Sequence, residues 1–272
     1  MNWTFIGAGN MSSSLIGGLL KDGADPGSLQ VLDVDPEQTA RLAKRFGVNG
    51  IGSIKDINPD DVVVIAVKPD KVRIVCESFN NDAPGSTPAL FVSVAAGVTA
   101  QAMEQMLPAG MPIVRTMPNT PALLGLGATA LYANAACTEQ HRQLAEQIMQ
   151  AAGITVWVNN EAQLDAVTAL SGSGPAYFFY LIEQMIQSAT ELGLSNDSAQ
   201  KLAIQTAVGA ATMARDSGSS PAELRQQVTS KGGTTHAAVS AFERQDLPTI
   251  VKVAMQAAHD RAVELGTEFG DS

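Results

Sequence analysis

Residues 62–67 read Val-Val-Val-Ile-Ala-Val, an apolar, mostly β-branched run with no polar position in it. In a strand, successive side chains point to opposite faces. A strand with no polar side must be covered on both faces, as happens in a parallel sheet flanked by helices. Few architectures meet that demand, and the rest of the first half agrees with it. Trp3–Ile6 reads as a strand, residues 11–21 as a helix, 30–33 as a second strand and Pro36–Phe46 as a second helix. Asp35 before Pro36 has the chemistry of a helix cap followed by a first-turn proline. Residues 90–94 and 113–115 read as further strands, 138–151 as a helix and 154–158 as a closing strand. This alternation predicts an α/β domain over residues 1–158, with a parallel sheet and helices on both sides.

After about residue 159 the strand signals stop. One helix runs from Pro175 to about 191, ending before Gly193. Ser195 or Asn196 can cap the next, which runs to about 215. Ser220-Pro221-Ala222-Glu223 is a cap, a proline and an acid in the order that starts a helix. The last helix starts at Asp246-Leu247-Pro248 and runs to about 265. Val208, Ala211, Ile250, Val251, Ala254, Ala257 and Ala258 give apolar stripes too wide for a single buried side. The expectation is a second, all-helical domain over 159–272 that serves as the interface of an obligate oligomer. A chain of 272 residues has room for two such domains.

The charge narrows the partners. There are 17 Lys and Arg against 27 Asp and Glu, a formal charge of −10, which argues against nucleic-acid binding. Cys76 and Cys137 stand far apart and outside any CxxC pattern, so no zinc site and no disulfide framework is expected. That pattern suits a reducing, cytoplasmic location. No run of about 20 apolar residues occurs, so no membrane span is expected. Residues 5–20 lack the basic flank of a signal peptide.

Gly7-Ala8-Gly9-Asn10-Met11-Ser12 follows the first strand and opens a helix. Such a turn lets a pyrophosphate approach the backbone at the positive end of a helix. Ser12 stands where the usual pattern has a third glycine. A Gly-x-Gly turn alone occurs in many loops; its flanking strand and helix favour a dinucleotide site here, with a structural turn as the alternative. Asp33 and Asp35 end the second strand, where an acid takes the ribose hydroxyls of NAD and repels the 2′-phosphate of NADP. Asp35 reads equally well as the cap of the Pro36 helix.

Ala66-Val67-Lys68-Pro69 ends the 62–67 strand, and loops at that edge line the ligand crevice. Lys68 is the candidate cation there, with a solvated surface lysine as the alternative. Ser93-Val94-Ala95-Ala96-Gly97 offers small residues for a flat ring or for a neighbouring helix. In Met117-Pro118-Asn119-Thr120-Pro121 two prolines hold Asn119 and Thr120 at the same edge, with a rigid turn that binds no ligand as the alternative. In the second half, Ser171-Gly172-Ser173-Gly174-Pro175 reads as a nest-like turn that breaks the helical pattern. Thr229-Ser230-Lys231-Gly232-Gly233-Thr234-Thr235-His236 is a second such loop. Free amides at a helix start, with hydroxyls nearby, suit a carboxylate; a plain interhelical loop is the alternative for each, and two such loops in one domain favour a substrate site. His141, His236 and His259 lack metal-ligand spacing, and only His236 borders a candidate loop. No metal site is expected.

These motifs coincide with a known family. Phe5-Ile6-Gly7-Ala8-Gly9-Asn10-Met11, Ala66-Val67-Lys68-Pro69, Leu170-Ser171-Gly172-Ser173-Gly174-Pro175-Ala176-Tyr177 and Val228-Thr229-Ser230-Lys231-Gly232-Gly233-Thr234-Thr235 carry it. On them the chain resembles the pyrroline-5-carboxylate reductases, from residue 3 to about 265. The resemblance implies a Rossmann-type domain followed by a helical dimerisation domain, with dimers assembling into decamers in some members. It implies reduction of 1-pyrroline-5-carboxylate to L-proline with NADPH or NADH, the last step of proline biosynthesis.

By resemblance, Ile6, Gly7, Ala8, Gly9, Asn10 and Met11 hold the pyrophosphate. Ala66, Val67, Lys68 and Pro69, with Ala95, Ala96 and Gly97, flank the nicotinamide. Gly233, Thr234 and Thr235 bind the substrate, with Thr235 closest to its ring nitrogen. Asn119, Ser171, Ser230 and Gly232 join the candidate substrate set, and Thr235 and Lys68 are the candidate catalytic residues. Asp35 stands where many members place a residue that helps bind the 2′-phosphate. Ser53 stands in the place of a family Asn near the adenosine. A family acidic residue near the substrate falls near Gly218.

The substrate is a cyclic imine bearing a carboxylate, and its iminium accepts a hydride without a strong enzymic acid. Two other readings share the architecture. A β-hydroxyacid dehydrogenase or ketopantoate-type reductase would carry a catalytic lysine in the first helix of the second domain. Lys201, the nearest comparable lysine, lies a helix later. A non-catalytic nucleotide-sensing scaffold would have no use for the Gly-Gly-Thr-Thr turn.

Overall fold

The computed structural model describes residues 1–81 and 87–270; of the helical domain expected over 159–272, the last two residues lie outside that range. Internal contacts divide the chain into two compact units. One comprises Met1–Ser173 with Ala258–Ser272, the other Gly174–Ala257.

The first unit opens with β1 (Trp3–Ile6), α1 (Asn10–Lys21), β2 (Leu29–Leu32), α2 (Pro36–Phe46) and the two-residue β3 (Asn49–Gly50). It continues through β4 (Val62–Ile65), α3 (Pro69–Asn81), β5 (Leu90–Ser93), α4 (Ala100–Met106), β6 (Ile113–Met117) and β7 (Gly127–Ala133). After α5 (Glu139–Gln150), β8 (Gly153–Trp157) and α6 (Gln163–Val167), a π-turn spans Thr168–Gly172. The strands form one sheet in the order β3-β2-β1-β4-β5-β6-β7-β8.

The continuous apolar run of β4 has the explanation its pattern demanded. Val62 and Val64 face one core with Phe5, Val31 and Val92, covered by Leu15 and Ile16 of α1, Leu42 of α2 and Ile148 of α5. Val63 and Ile65 face a second core with Phe91, Val72 and Phe79 of α3, and Met103 of α4. All four strand residues are fully buried. Burying such side chains contributes about 1.5–3 kcal/mol each.

One expectation is corrected. The sheet is mixed, because β7 pairs antiparallel with β6, and β8 then runs parallel to β7. The strand at 127–133 has no counterpart in the sequence reading. A parallel crossover needs about a dozen residues or more, and the 118–126 connection, which includes a 3-10 turn at Thr120–Leu124, is too short. The chain can only turn back.

The second unit holds α7 (Gly174–Glu191), α8 (Asn196–Asp216), α9 (Pro221–Gln227), α10 (Thr234–Arg244) and the start of α11 (Leu247–Gly270). Ser195 caps α8. Ser220 and Glu223 form a reciprocal capping box at α9. A second correction concerns residues 171–175. They do not break the helical pattern: Ser173 is right-handed helical (φ −84°), and its N–H donates to the carbonyl of Thr168 at 2.8 Å. A nest needs consecutive free amides, and this stretch spends one on a π-type bond.

Candidate active site

The crevice of the first unit is built by the turn after β1. Gly7 has φ +102°, and a Cβ there would stand 2.6 Å from the carbonyl oxygen of Ala66, so only glycine fits. Its N–H donates to Leu32 O at 2.8 Å. Ser12, in place of the third glycine, is buried, and its hydroxyl donates to Gly7 O at 2.5 Å, closing the turn from below. At Gly9 a Cβ would meet nothing within 4 Å. Gly9 also precedes α1 with no side-chain cap, and the helix has no acid in its first turn. Open space beside uncapped amides at a positive helix end is the cradle a pyrophosphate requires.

A cavity of about 600 Å³ adjoins this turn and is lined by Ile6, Gly7, Asp33, Val34, Ser53 and Val67 among others. The two acids after β2 have different employment. Asp33 Oδ2 accepts the Ala8 N–H at 2.7 Å, and its Oδ1 accepts the Asp35 N–H at 3.0 Å. Asp35 Oδ1 accepts the Glu37 N–H at 2.9 Å and caps α2. Ser53 caps the short turn Ile54–Asp56 in a reciprocal box with Asp56, its hydroxyl accepting the Lys55 N–H.

Ala66 donates its N–H to Ile6 O, Pro69 opens α3, and Lys68 is exposed. Ala95 and Gly97 are buried while Ala96 is half-buried. A Cβ on Gly97 would lie 3.1 Å from the Phe269 ring and 3.3 Å from Leu265, so the small residue there admits the end of α11. Asn10 and Gly9 also line a second cavity of about 370 Å³ with Arg41 and Arg45. Arg45 Nη1 donates to Ser13 Oγ at 3.0 Å. These arginines escaped the sequence reading; their i,i+4 spacing on one face of α2 was the available signal.

Asn119 and Ser171 lie together. Asn119 Nδ2 donates to Ser171 O at 3.0 Å, and Asn119 Oδ1 accepts the Ala128 N–H at 2.9 Å. The Ser171 hydroxyl donates to Val167 O. Met117 packs where a Cβ on Gly172 would be, 2.6 Å away. Both polar side chains are thus engaged in joining the 117–121 loop to the π-turn.

In the second unit, Gly232 has φ +78°, and the Gly233 N–H donates to Ser230 O at 3.0 Å. Gly233 precedes α10 without a side-chain cap, and no acid stands in that helix's first turn. The opening amides of an 11-residue helix therefore have no side-chain cap, next to Thr234, an exposed residue, and Thr235, a half-buried one. Ser230 Oγ sits over Gly233, 2.7 Å from where a Cβ would be.

The other titratable candidates have structural employment. His141 Nδ1 accepts the Thr138 N–H in a capping box, and burial lowers its pKa. His259 lies beside the Asp260 carboxylate. His236 is exposed in the first turn of α10. Burial pushes the Cys76 thiol up to about 12, which makes it a poor nucleophile. Among the described residues no group of three His, Cys, Asp or Glu side chains could hold a metal ion, and no helix is long and apolar enough to cross a membrane.

Residues 161–265 match the family model for pyrroline-5-carboxylate reductase dimerisation. Residues 2–97 match that for NADP oxidoreductase, coenzyme F420-dependent. A pyrroline-5-carboxylate reductase of Pseudomonas aeruginosa is 46% identical over 98% of this chain and 97% of its own. One from Haemophilus influenzae is 38% identical over 97% of each. Among solved structures, a pyrroline-5-carboxylate reductase from Coxiella burnetii superposes with a TM-score of 0.92 at 41% identity, covering 97% of this chain and 98% of that one. The Plasmodium falciparum pyrroline carboxylate reductase with NADP bound gives 0.83 at 26% identity, covering 98% of both.

Proposed function

The chain belongs to the pyrroline-5-carboxylate reductase family, and on that premise we propose how its residues share the work. The protein is an NAD(P)H-dependent oxidoreductase acting on a CH–NH bond: it reduces 1-pyrroline-5-carboxylate to proline. The observation that carries the assignment of roles is the pair of uncapped helix starts. One follows Gly9 and suits a pyrophosphate; the other follows Gly233 and suits a single carboxylate.

When bound, the coenzyme supplies the hydride. Gly9, Asn10 and Met11 hold its phosphates through backbone amides, while the Gly7 and Ala8 N–H groups, bonded to Leu32 O and Asp33 Oδ2, shape the turn, and Ile6, Ser53 and Val67 wall the adjoining cavity. Ala66, Lys68 and Pro69, with Ala95 and Ala96, border the same sheet edge. The first-turn amides of α10, with Gly232 and Thr234, hold the substrate carboxylate. Thr235 Oγ1 orients the ring nitrogen and holds its proton. Ser230 keeps the Gly232-Gly233 turn closed. Asn119 and Ser171 tie the 117–121 loop to the π-turn within the first unit, because the hydrogen bonds of both side chains go to backbone groups.

Residues 1–158 form the coenzyme domain, and 159–272 the dimerisation and substrate domain. The enzyme works as a homodimer that assembles further, toward a decamer. Support for pairing is the match to a dimerisation model; the decamer rests on the family resemblance. A cytoplasmic location fits two free thiols, and the net charge of −10 fits an enzyme with no nucleic-acid partner.

The test is oxidation of NADH and NADPH with pyrroline-5-carboxylate, ketopantoate and a β-keto acid in parallel. Turnover with the imine alone is expected. Turnover with either keto acid and none with the imine would refute the assignment.

A further inference from the structure

The geometry points to Asp33 as the residue that selects the coenzyme: its carboxylate receives the 2′-hydroxyl of the adenosine ribose and excludes a 2′-phosphate, so the enzyme prefers NADH to NADPH. This rests on the reading of the crevice as a dinucleotide site. Asp33 follows β2 and lines the cavity that adjoins the glycine turn. Its carboxylate cannot swing aside, because Oδ2 holds the Ala8 N–H at 2.7 Å and Oδ1 holds the Asp35 N–H at 3.0 Å. Turning it away to admit an anion would strip both amides of their acceptor.

Each oxygen keeps a lone pair after those bonds. A ribose hydroxyl has a proton to give it. A 2′-phosphate brings about two negative charges at neutral pH and nothing to donate. The segment adds two further acids, Asp35 and Glu37, within four residues. Lys71 lines the same cavity and is paired with Asp70 at 3.2 Å. The rival feature is Arg41, which lines the neighbouring cavity with Ala8, Gly9 and Gln38 and donates to Gln38 Oε1.

The test is direct coenzyme binding without imine, read by nicotinamide fluorescence, on the full-length protein, with steady-state rates measured beside it. Wild type should bind NADH about ten-fold or more tighter than NADPH, the worth of one charge-assisted hydrogen bond. Asp33→Ser should move the ratio toward NADPH by about a hundred-fold, since it loses the acceptor and the repulsion together. Asp33→Asn keeps an acceptor for the Ala8 N–H, so it guards against a folding defect, and it should move the ratio by about ten-fold. Arg41→Ala should leave the ratio unchanged.

Equal or tighter binding of NADPH by wild type would overturn the proposal, as would an unmoved ratio in Asp33→Asn or a selective loss of NADPH in Arg41→Ala. Failure of both coenzymes to bind would remove the dinucleotide reading and this proposal with it. A normal binding ratio without imine turnover would instead strike at the substrate assignment and leave Asp33 standing.

Discussion

Asp33 and Asp35 are the same residue type two positions apart, and they do different jobs. One carboxylate ties the glycine turn to the end of β2; the other caps α2. The sequence showed two acids in the right neighbourhood but could not say which amide each would take. Gly7 was more legible, because a left-handed residue wedged against a carbonyl admits no side chain. Thr235 stands half-buried in the first turn of α10, after a cap residue with no side chain to offer. Thr235→Ala should lower kcat by about ten-fold or more, the worth of one hydrogen bond to a charged ring nitrogen. Coenzyme affinity in a binding titration should be unchanged. Equal loss of both would assign Thr235 to the fold instead.

Helix starts and strand runs are short-range facts, so the elements were largely readable. Pro36–Phe46 stands where its cap and proline put it, and β4 lies within the run that announced it. β7 was missed because its Gly-Ala-Thr-Ala opening has little β-branched character, and its direction depends on the loop before it. The ion pair of Arg115 on β6 with Glu161 had no local signature either. The two side chains are 5% and 19% exposed and 3.1 Å apart, and Glu161 Oε1 also accepts the Ala100 N–H at 2.6 Å. Removing one partner of such a pair strands the other. Glu161→Ala should cost about 3 kcal/mol, read as a lower urea midpoint with tryptophan fluorescence, and Glu161→Gln distinctly less because it keeps an acceptor for Ala100.

At the scale of the whole molecule, the second unit is not finished by its own residues. Phe178, Phe179 and Tyr180, consecutive on α7, are each about 65% exposed, and Val253 on α11 is 62% exposed. Phe179, Ile182 and Ile186 of α7 and Ile204 of α8 line an apolar groove. Successive residues of a helix point about 100° apart, so these aromatics leave α7 apolar on more than one side, and the helix lies within the stretch that matches a dimerisation model. Light scattering should give a multiple of the 28.3 kDa chain mass. Phe179→Asp with Ile204→Asp should lower that mass and cut turnover together. An unchanged mass would place the interface elsewhere.

The sequence by itself determined the change from alternating strands and helices to helices alone, the turn chemistry at Gly7 and Gly233, the cap at Ser220, and the family. Each depends on backbone dihedrals, side-chain periodicity or a partner within a few residues, all of which are properties of a local stretch. Tertiary structure decided that Asp33 takes the Ala8 amide, that β7 and β8 reverse the sheet, that Asn119 is occupied with Ser171, and that Arg115 meets Glu161. These are pairings between distant segments in which several donors compete for one acceptor. Only the packed arrangement settles which donor arrives.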